Sequence, residues 1–166
     1  TLGGSIRFDG SDLFGVDKKY RYLPLYSVSA LWRISEEPFT ENAKWLDNLV
    51  IRASYGLQGN IDKNTSPYLL GKYQSNATPI LPGNTEDMIV VTSAPNDKLR
   101  WEKTHSVNVG LDFAVLNQAI NLSVDYYYRK GVDLIGMQML PLETGFSSTN
   151  INWASMTNKG IEIGLS

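Results

Sequence analysis

Apolar and polar residues alternate with a period of two along most of this chain, and this pattern constrains the fold more than any other feature. In residues 105–113, for example, valine, leucine and phenylalanine take one parity from Val107 to Phe113, and polar residues and glycine take the other. The same pattern occurs in residues 6–8, 26–34, 49–57, 120–128 and 161–165. Because successive side chains of a strand point to opposite faces, the sequence predicts an all-β chain of about six antiparallel strands. The only helical candidate is a short turn near residues 41–47.

Such alternation fits two architectures, a soluble β-sandwich and a transmembrane β-barrel. The apolar stripes run for about nine residues, close to the roughly 9–11 that a tilted strand needs to cross hydrocarbon. Sandwich strands more often have about 5–6 residues. The connections also differ in length: residues 116–118 form a tight turn, residues 35–47 an intermediate connection and residues 10–23 a moderate one, whereas residues 58–100 and 131–155 are long. Short turns at one end and long loops at the other are typical of outer-membrane barrels. We therefore predict up-and-down strands that form part of a large transmembrane β-barrel.

Aromatic residues support this prediction when the long loops are taken as extracellular. Near the outer ends of the strands, on the apolar parity, lie Tyr26, Tyr55, Trp101, Tyr126 and Tyr128, and near the inner ends lie Trp32 and Phe113. Girdles of aromatic rings at both interfaces are expected of a membrane barrel. The alternative is that they are ordinary cross-strand aromatic pairs in a soluble sheet. Since about six strands cannot close a barrel, we expect residues 1–166 to be a single segment of a larger one.

Composition and motif searches exclude several classes of function. A net charge of -2 offers no basic stripe for nucleic acid, and the absence of cysteine excludes a disulfide framework or a thiolate metal site. His105 is the only histidine, which leaves neither a zinc site nor a catalytic triad. The adjacent carboxylates Glu36-Glu37 and Glu86-Asp87 point to opposite faces of extended chain and cannot act together on a glycosidic bond. We therefore expect no catalytic, cofactor or metal site.

Binding is the function that remains, with two groups of candidate residues. The long loops carry the aromatic residues Tyr68, Tyr73, Phe146 and Trp153 among amides and hydroxyls, a combination that suits contact with sugars or peptides. The alternative is that these rings pack the loops against each other or against a partner. The polar parity carries Arg52, Asn108, Asp112, Asn121 and Asp125, which are candidates to line a transport path. The favoured interpretation for most of the polar group is hydrogen bonding across the barrel wall or to a plug.

A series of short motifs resembles a known family. In order, the sequence reads RFDGS from Arg7, Phe14-Gly15, Tyr20-Arg21-Tyr22, WRISEEPF from Trp32, LVIRASYGLQGN from Leu49, NDKLRWEKT from Asn96, NVGLDF from Asn108, VDYYY from Val124 and NKGIE from Asn158. Each motif is weak alone, but their order and spacing are similar to the C-terminal half of the barrel of SusC/RagA-type TonB-linked outer-membrane transporters. Departures include Leu23-Pro24-Leu25 in place of F-P-S, Asp12 in place of serine and Val50 in place of lysine.

The resemblance implies a function and a setting. Such proteins import oligosaccharides, peptides or other large nutrients through the outer membrane of Gram-negative bacteria, powered by the TonB complex. They work with a surface-exposed SusD-like lipoprotein, and their plug domain and TonB box would lie outside this segment. The resemblance implies a transporter surrounded by outer-membrane lipid and not an enzyme. Two alternatives remain, a passive outer-membrane porin and a soluble or surface β-sandwich that binds glycans.

Overall fold

The computed structural model describes residues 1–13, 21–43, 45–77 and 86–166. Its strands are β1 (Leu2–Gly10), β2 (Tyr22–Arg33), β3 (Leu46–Asn60), β4 (Leu70–Ala77), β5 (Glu86–Ser93), β6 (Glu102–Val115), β7 (Ile120–Met139) and β8 (Ser148–Leu165). Three short 3₁₀ turns cover Ile34–Glu36, Pro38–Thr40 and Leu142–Thr144. No helix among the described residues is long and apolar enough to cross a membrane. The motif residues Phe14, Gly15 and Tyr20 lie outside the described ranges.

The main sheet has six strands in the order β1-β2-β3-β6-β7-β8, and every neighbouring pair is antiparallel. The strands β4 and β5 form a separate two-stranded hairpin between β3 and β6. The prediction of an all-β chain of antiparallel up-and-down strands is therefore confirmed. We call the end of the sheet at which β1–β2, β3–β4 and β7–β8 connect the loop end, and the opposite end the turn end.

The cross-strand register gives the main sheet two chemically different faces. On one face Tyr55 lies between Val28 of β2 and Val107 of β6. On the other face Ser54 lies between Ser29 and Asn108. We call the first the apolar face and the second the polar face. Because one-residue slips exchange the two faces, a register this consistent indicates that the alternation in sequence specifies the pairing.

The apolar face is open over much of its area. Large side chains on it include Val28, Ile161 and Ile163, which expose 56%, 66% and 70% of their surface. A β-sandwich would bury such residues beneath a second sheet. Among the residues that the structure describes, the only other sheet is the small β4–β5 hairpin, whose size cannot cover this face. The described residues therefore form one open main sheet and not the two packed sheets of a sandwich.

Packed side chains concentrate instead at the loop end. A buried cluster contains Leu23 and Leu25 from β2 together with Leu99 and Trp101, which lie just before β6. A side chain at Gly59 would collide with Leu23, so glycine permits β3 to approach this cluster closely. The cluster therefore joins the segment before β6 to the outer part of β2 and β3.

Three expectations about connections need correction. Residues 131–155 are not one loop, because β7 continues to Met139 and β8 begins at Ser148. Residues 58–100 include the end of β3 and the β4–β5 hairpin. The helical turn expected near residues 41–47 lies slightly earlier, as the 3₁₀ turn Pro38–Thr40, and β3 begins at Leu46. Beyond the apolar stripe the alternation fades, but backbone hydrogen bonding continues the strands because buried amide groups need partners.

The tight turn predicted at residues 116–118 is confirmed. Leu116, Asn117 and Gln118 have φ angles of 59°, 57° and 62°, so three consecutive residues are left-handed. The backbone N–H of Gln118 donates to Oδ2 of Asp47 at 2.9 Å, and Nδ2 of Asn121 donates to the Gln118 carbonyl at 2.9 Å. These side-chain bonds hold a conformation that costs free energy in residues other than glycine.

Candidate functional site

The centre of the polar face is an ion-paired cluster around Arg52 of β3. Nη2 of Arg52 donates to Oδ1 of Asp112 at 3.1 Å and to Oδ1 of Asp125 at 3.1 Å. Nε lies 2.9 Å from Oδ2 of Asp112, a close ionic contact and not an aligned hydrogen bond. The guanidinium therefore connects three strands, β3, β6 and β7, on one face of the sheet.

Gly110 makes this arrangement possible. It pairs with Arg52 on one side and with Asp125 on the other, so it lies directly between the two charged residues. A Cβ at this position would lie 2.9 Å from Nη2 of Arg52 and would also collide with the Asp125 carboxylate. The absence of a side chain leaves the guanidinium free to cross β6 and reach Asp125.

Acidic side chains outnumber basic ones in and around the Arg52 cluster. Asp125 pairs directly with Glu162 of β8, and on the next row Arg129 lies over the Tyr127 ring at 5.8 Å. The Arg52, Asp112 and Asp125 side chains expose 35–44% of their surface, so water screens each pair and limits it to about 1 kcal/mol. A cluster that contributes so little stability yet leaves excess negative charge is suited to contact a further polar surface.

An open depression of about 400 Å³ lies beside this cluster. Its lining includes Ser29, Arg52, Ser54, Asn108, Gly110 and Asp125. Nδ2 of Asn108 lies 3.4 Å from Oγ of Ser54, which is a long hydrogen bond across β3 and β6. Four of the five predicted polar-face residues, all but Asn121, therefore come together. Asn121 lies at the turn end, where it caps the β6–β7 turn. The hydrogen bonds of Arg52 and Asn108 agree with the interpretation that most of these polar residues bond across the sheet.

A second polar network, which the sequence interpretation missed, joins the segment before β6 to β7 and β8 at the loop end. Asn152 is buried, and its Oδ1 accepts from the Arg100 backbone N–H at 2.9 Å. Its Nδ2 donates to the Arg100 carbonyl at 2.8 Å and to the Asp133 carbonyl at 2.7 Å. We call Asn152, Arg100 and Asp133 the loop-end clamp.

Asp133 gives the clamp an ionic component. It sits in a β-bulge of β7 with a φ angle of 57°, and its Oδ1 accepts from Nη2 of Arg100 at 2.7 Å. The hydrogen bond from Arg100 is the main cause that holds the pKa of Asp133 below its ordinary value, and Lys103 at 3.3 Å adds to it. Partial burial opposes the shift. No period-two signal reveals this network, because its residues lie where the alternation has faded.

The predicted girdle residues, with one exception, lie on the apolar face. Tyr26 and Tyr55 have ring centroids 5.9 Å apart, and Tyr126 and Tyr128 pair with Val109 and Val107 on the same face. At the turn end Trp32 pairs with Ile51, and Phe113 contacts the Trp45 ring at 6.4 Å.

Trp101 is the exception. It exposes only 6% of its surface and belongs to the buried loop-end cluster, with Nε1 lying 3.4 Å from the Arg21 carbonyl. The expectation that Trp101 is an interfacial ring on the apolar face is therefore corrected. The alternation of faces does not extend to Trp101, because this residue precedes β6 and packs inward against leucines.

The four candidate contact residues at the loop end are dispersed. Tyr68 precedes β4, and Tyr73 lies in β4 with its hydroxyl donating to Oδ2 of Asp87 at 2.5 Å. Phe146 lies between the last 3₁₀ turn and β8. Trp153 lies in β8 and not in a loop, over Gly136, where it exposes 63% of its surface. These rings make no ring contact with one another, so the structure does not gather them into one site. Within the described ranges, no group of three metal-ligating side chains occurs.

An antiparallel meander with an open apolar face, aromatic rings at both ends and an ion-paired polar face defines a wall segment of a large β-barrel. The family model described as "TonB dependent receptor-like, beta-barrel" matches residues 1–166, and this chain belongs to that family.

Curated relatives and solved structures agree with this membership. The chain is 36% identical to TonB-dependent receptor P26 of Formosa agariphila, over 99% of the chain and 16% of that protein. It is 33% identical to TonB-dependent receptor SusC of Bacteroides thetaiotaomicron, over 97% of the chain and 16% of that protein. Its fold matches a structure of the RagAB peptide importer in the "closed-closed" state with a TM-score of 0.79 at 29% identity, covering 99% of this chain and 17% of that one. The chain therefore spans about one sixth of the length of the curated relatives it matches. The resemblance to SusC/RagA-type transporters is confirmed.

Proposed function

We propose that the complete protein to which this chain belongs imports a large nutrient, an oligosaccharide or a peptide, across the outer membrane with energy supplied through TonB. The observation that carries the proposal is the division of the sheet into an open apolar face and a charged polar face. A wall between lipid and an aqueous or protein-filled lumen requires this division. Family membership and a relative described as a peptide importer support the same function.

In this proposal the two faces have separate tasks. The apolar face contacts outer-membrane lipid, with Tyr55 and Tyr128 near the outer boundary and Trp32 and Phe113 near the inner one. The polar face turns toward the lumen, where the Arg52 cluster meets either substrate or the plug domain. No step of the proposed import requires catalysis by these residues, and the curated relatives are named as receptors.

The loop end is where substrate and partner contacts belong. Tyr68, Tyr73, Phe146 and Trp153 lie at this end and present aromatic surface next to amides and hydroxyls, which suits sugars and peptides. We propose a SusD-like surface lipoprotein as the partner at the same end. Its support is the similarity to SusC and to the RagAB importer.

Uptake by cells that express the complete protein tests this function. Labelled oligosaccharides and peptides are supplied to a strain that lacks the gene, to the complemented strain, and to the complemented strain without TonB. We expect uptake only in the complemented strain with TonB. Equal uptake without TonB would instead establish a passive porin.

Affinity purification of the tagged complete protein tests the partner, and recovery of a stoichiometric surface lipoprotein is the expected result.

A further inference from the structure

Basic side chains interrupt the apolar face at the loop end. Lys130 of β7 pairs directly with His105 of β6, and Lys159 of β8 pairs directly with Tyr128 of β7. Since Lys130 pairs with Thr157 on its other side, the two lysines are diagonal neighbours on the same face. Diagonal neighbours in an antiparallel sheet lie about 7–8 Å apart, with their Cβ atoms somewhat closer, so two long side chains can hold one small group between them.

These cations have no acidic partner among the described residues. Neither Lys130 nor Lys159 forms an ion pair within the described ranges, and both side chains are exposed. The contrast is Lys103, one row further out, whose Nζ lies 3.3 Å from Oδ2 of Asp133. Two positive charges on neighbouring positions of one face repel each other, and an anion held between them would relieve this repulsion.

Tyrosine and histidine surround the two lysines with polar atoms at the boundary of the apolar stripe. Nδ1 of His105 lies 2.9 Å from the Tyr55 hydroxyl, and the two rings stack at 6.3 Å. On the side toward the turn end the same strands carry Val107, Val109 and Ile161. The cationic group therefore stands where an apolar surface gives way to a polar one.

We propose that Lys130, Lys159 and His105 bind the phosphate group of an outer-leaflet lipid whose acyl chains lie along the apolar stripe. A phosphate supplies the missing negative charge and acceptor oxygens, and lysine binds phosphate as a point charge. Long lysine side chains reach a headgroup while their methylene groups stay on apolar surface. This inference rests on the membrane orientation in the proposed function, but it does not depend on import.

The test uses the complete protein, purified in detergent and depleted of lipid, with native mass spectrometry as the readout. The probes are lipid A with both phosphates, phosphatidylglycerol, phosphatidylcholine and inorganic phosphate. The variant is Lys130→Gln with Lys159→Gln, and the matched control is Lys72→Gln, which makes the same change on the exposed β4–β5 hairpin. Heat-modifiable gel migration verifies that each variant is folded.

We expect lipid A and phosphatidylglycerol to bind more tightly than phosphatidylcholine. The double variant should weaken binding of the anionic lipids by roughly 10- to 30-fold, whereas Lys72→Gln should change it by less than about twofold. If the double variant fails to fold, Lys130→Arg with Lys159→Arg keeps both charges and should retain binding. Equal affinity for phosphatidylcholine, an unchanged double variant, or inorganic phosphate binding as tightly as the lipids would overturn the proposal. If the wild-type protein binds the anionic lipids but supports no TonB-dependent uptake, that result would count against the proposed function alone.

Discussion

Replacement of Asn152 by alanine should release the segment before β6 from the outer part of the sheet. The substitution removes three hydrogen bonds, those to the Arg100 N–H, the Arg100 carbonyl and the Asp133 carbonyl. Asn152 exposes only 7% of its surface, so the backbone groups that lose their partner lie in a site with little access to water. At about 1 kcal/mol for each group left without a partner, the local cost is about 3 kcal/mol.

Hydrogen–deuterium exchange of the complete protein in detergent measures this effect. A loss of about 3 kcal/mol in the free energy of local opening corresponds to roughly 100-fold faster exchange of the amides around residues 96–102. The matched control is Asn158→Ala, because Asn158 lies on the same strand but is exposed and has no side-chain hydrogen bond among the described residues. Exchange of residues 96–102 at the wild-type rate in Asn152→Ala, or equal acceleration in both variants, would contradict the role assigned to Asn152.

Three further perturbations test other parts of the structure. The pKa of Asp133 is depressed, chiefly by the hydrogen bond from the neighbouring guanidinium, so its contribution is present above the ordinary value of 3.8 and is lost as pH falls below it. After correction for the intrinsic pH dependence of amide exchange, opening at residues 96–102 should therefore increase as pH falls below 3.8, and Asp133→Asn should remove most of this dependence. Gly110→Val should displace the guanidinium over β6 and cost about 1–3 kcal/mol, seen as a lower temperature of the heat-modifiable gel shift; an unchanged temperature contradicts this. Trp101→Ala should lower that temperature through the loss of about 3–5 kcal/mol of packing, whereas Trp153→Ala, at an exposed ring, should leave it nearly constant.

The inner parts of the strands were predictable because one face of each is uniformly apolar. In residues 105–113 and 120–128 the alternation specifies strand, face and neighbour, and the structure pairs these two segments in register. The outer extension of β7 was not predictable in this way. Its residues from Lys130 to Met139 pair with β8, carry a bulge at Asp133 and contact the segment before β6, so neither face keeps a single chemical character.

The β4–β5 hairpin shows a different limit. The segment Leu70–Ala77 has no alternation, and β5 contains the apolar run Met88-Ile89-Val90-Val91. A short continuous apolar run flanked by polar residues is a strand signal, but it does not identify a partner. The apolar run of β5 is therefore a strand signal that the period-two pattern does not include, whereas Leu70–Ala77, its partner, carries no such signal.

The sequence predicts which face of the sheet carries the candidate site, but it does not predict which of its residues contact one another. Arg52, Asp112 and Asp125 share the polar parity, which the sequence shows directly. Their meeting depends on the register of three strands and on the missing side chain at Gly110. The loop-end clamp was not predictable, because a buried asparagine in a segment assigned to a loop has no periodic signal.

The most direct test of the central claim is the accessibility of single nitroxide labels on β6 in the complete protein reconstituted in lipid. This chain contains no cysteine, so labels at Asn108→Cys and Val109→Cys meet no background within it. With the apolar face toward lipid, the label at Val109 should collide mainly with oxygen dissolved in the lipid, and the label at Asn108 mainly with a water-soluble relaxing agent. Labels at residues 106–113 should continue this period of two. Equal accessibility of both positions to the water-soluble agent would contradict a barrel wall with the apolar face toward lipid.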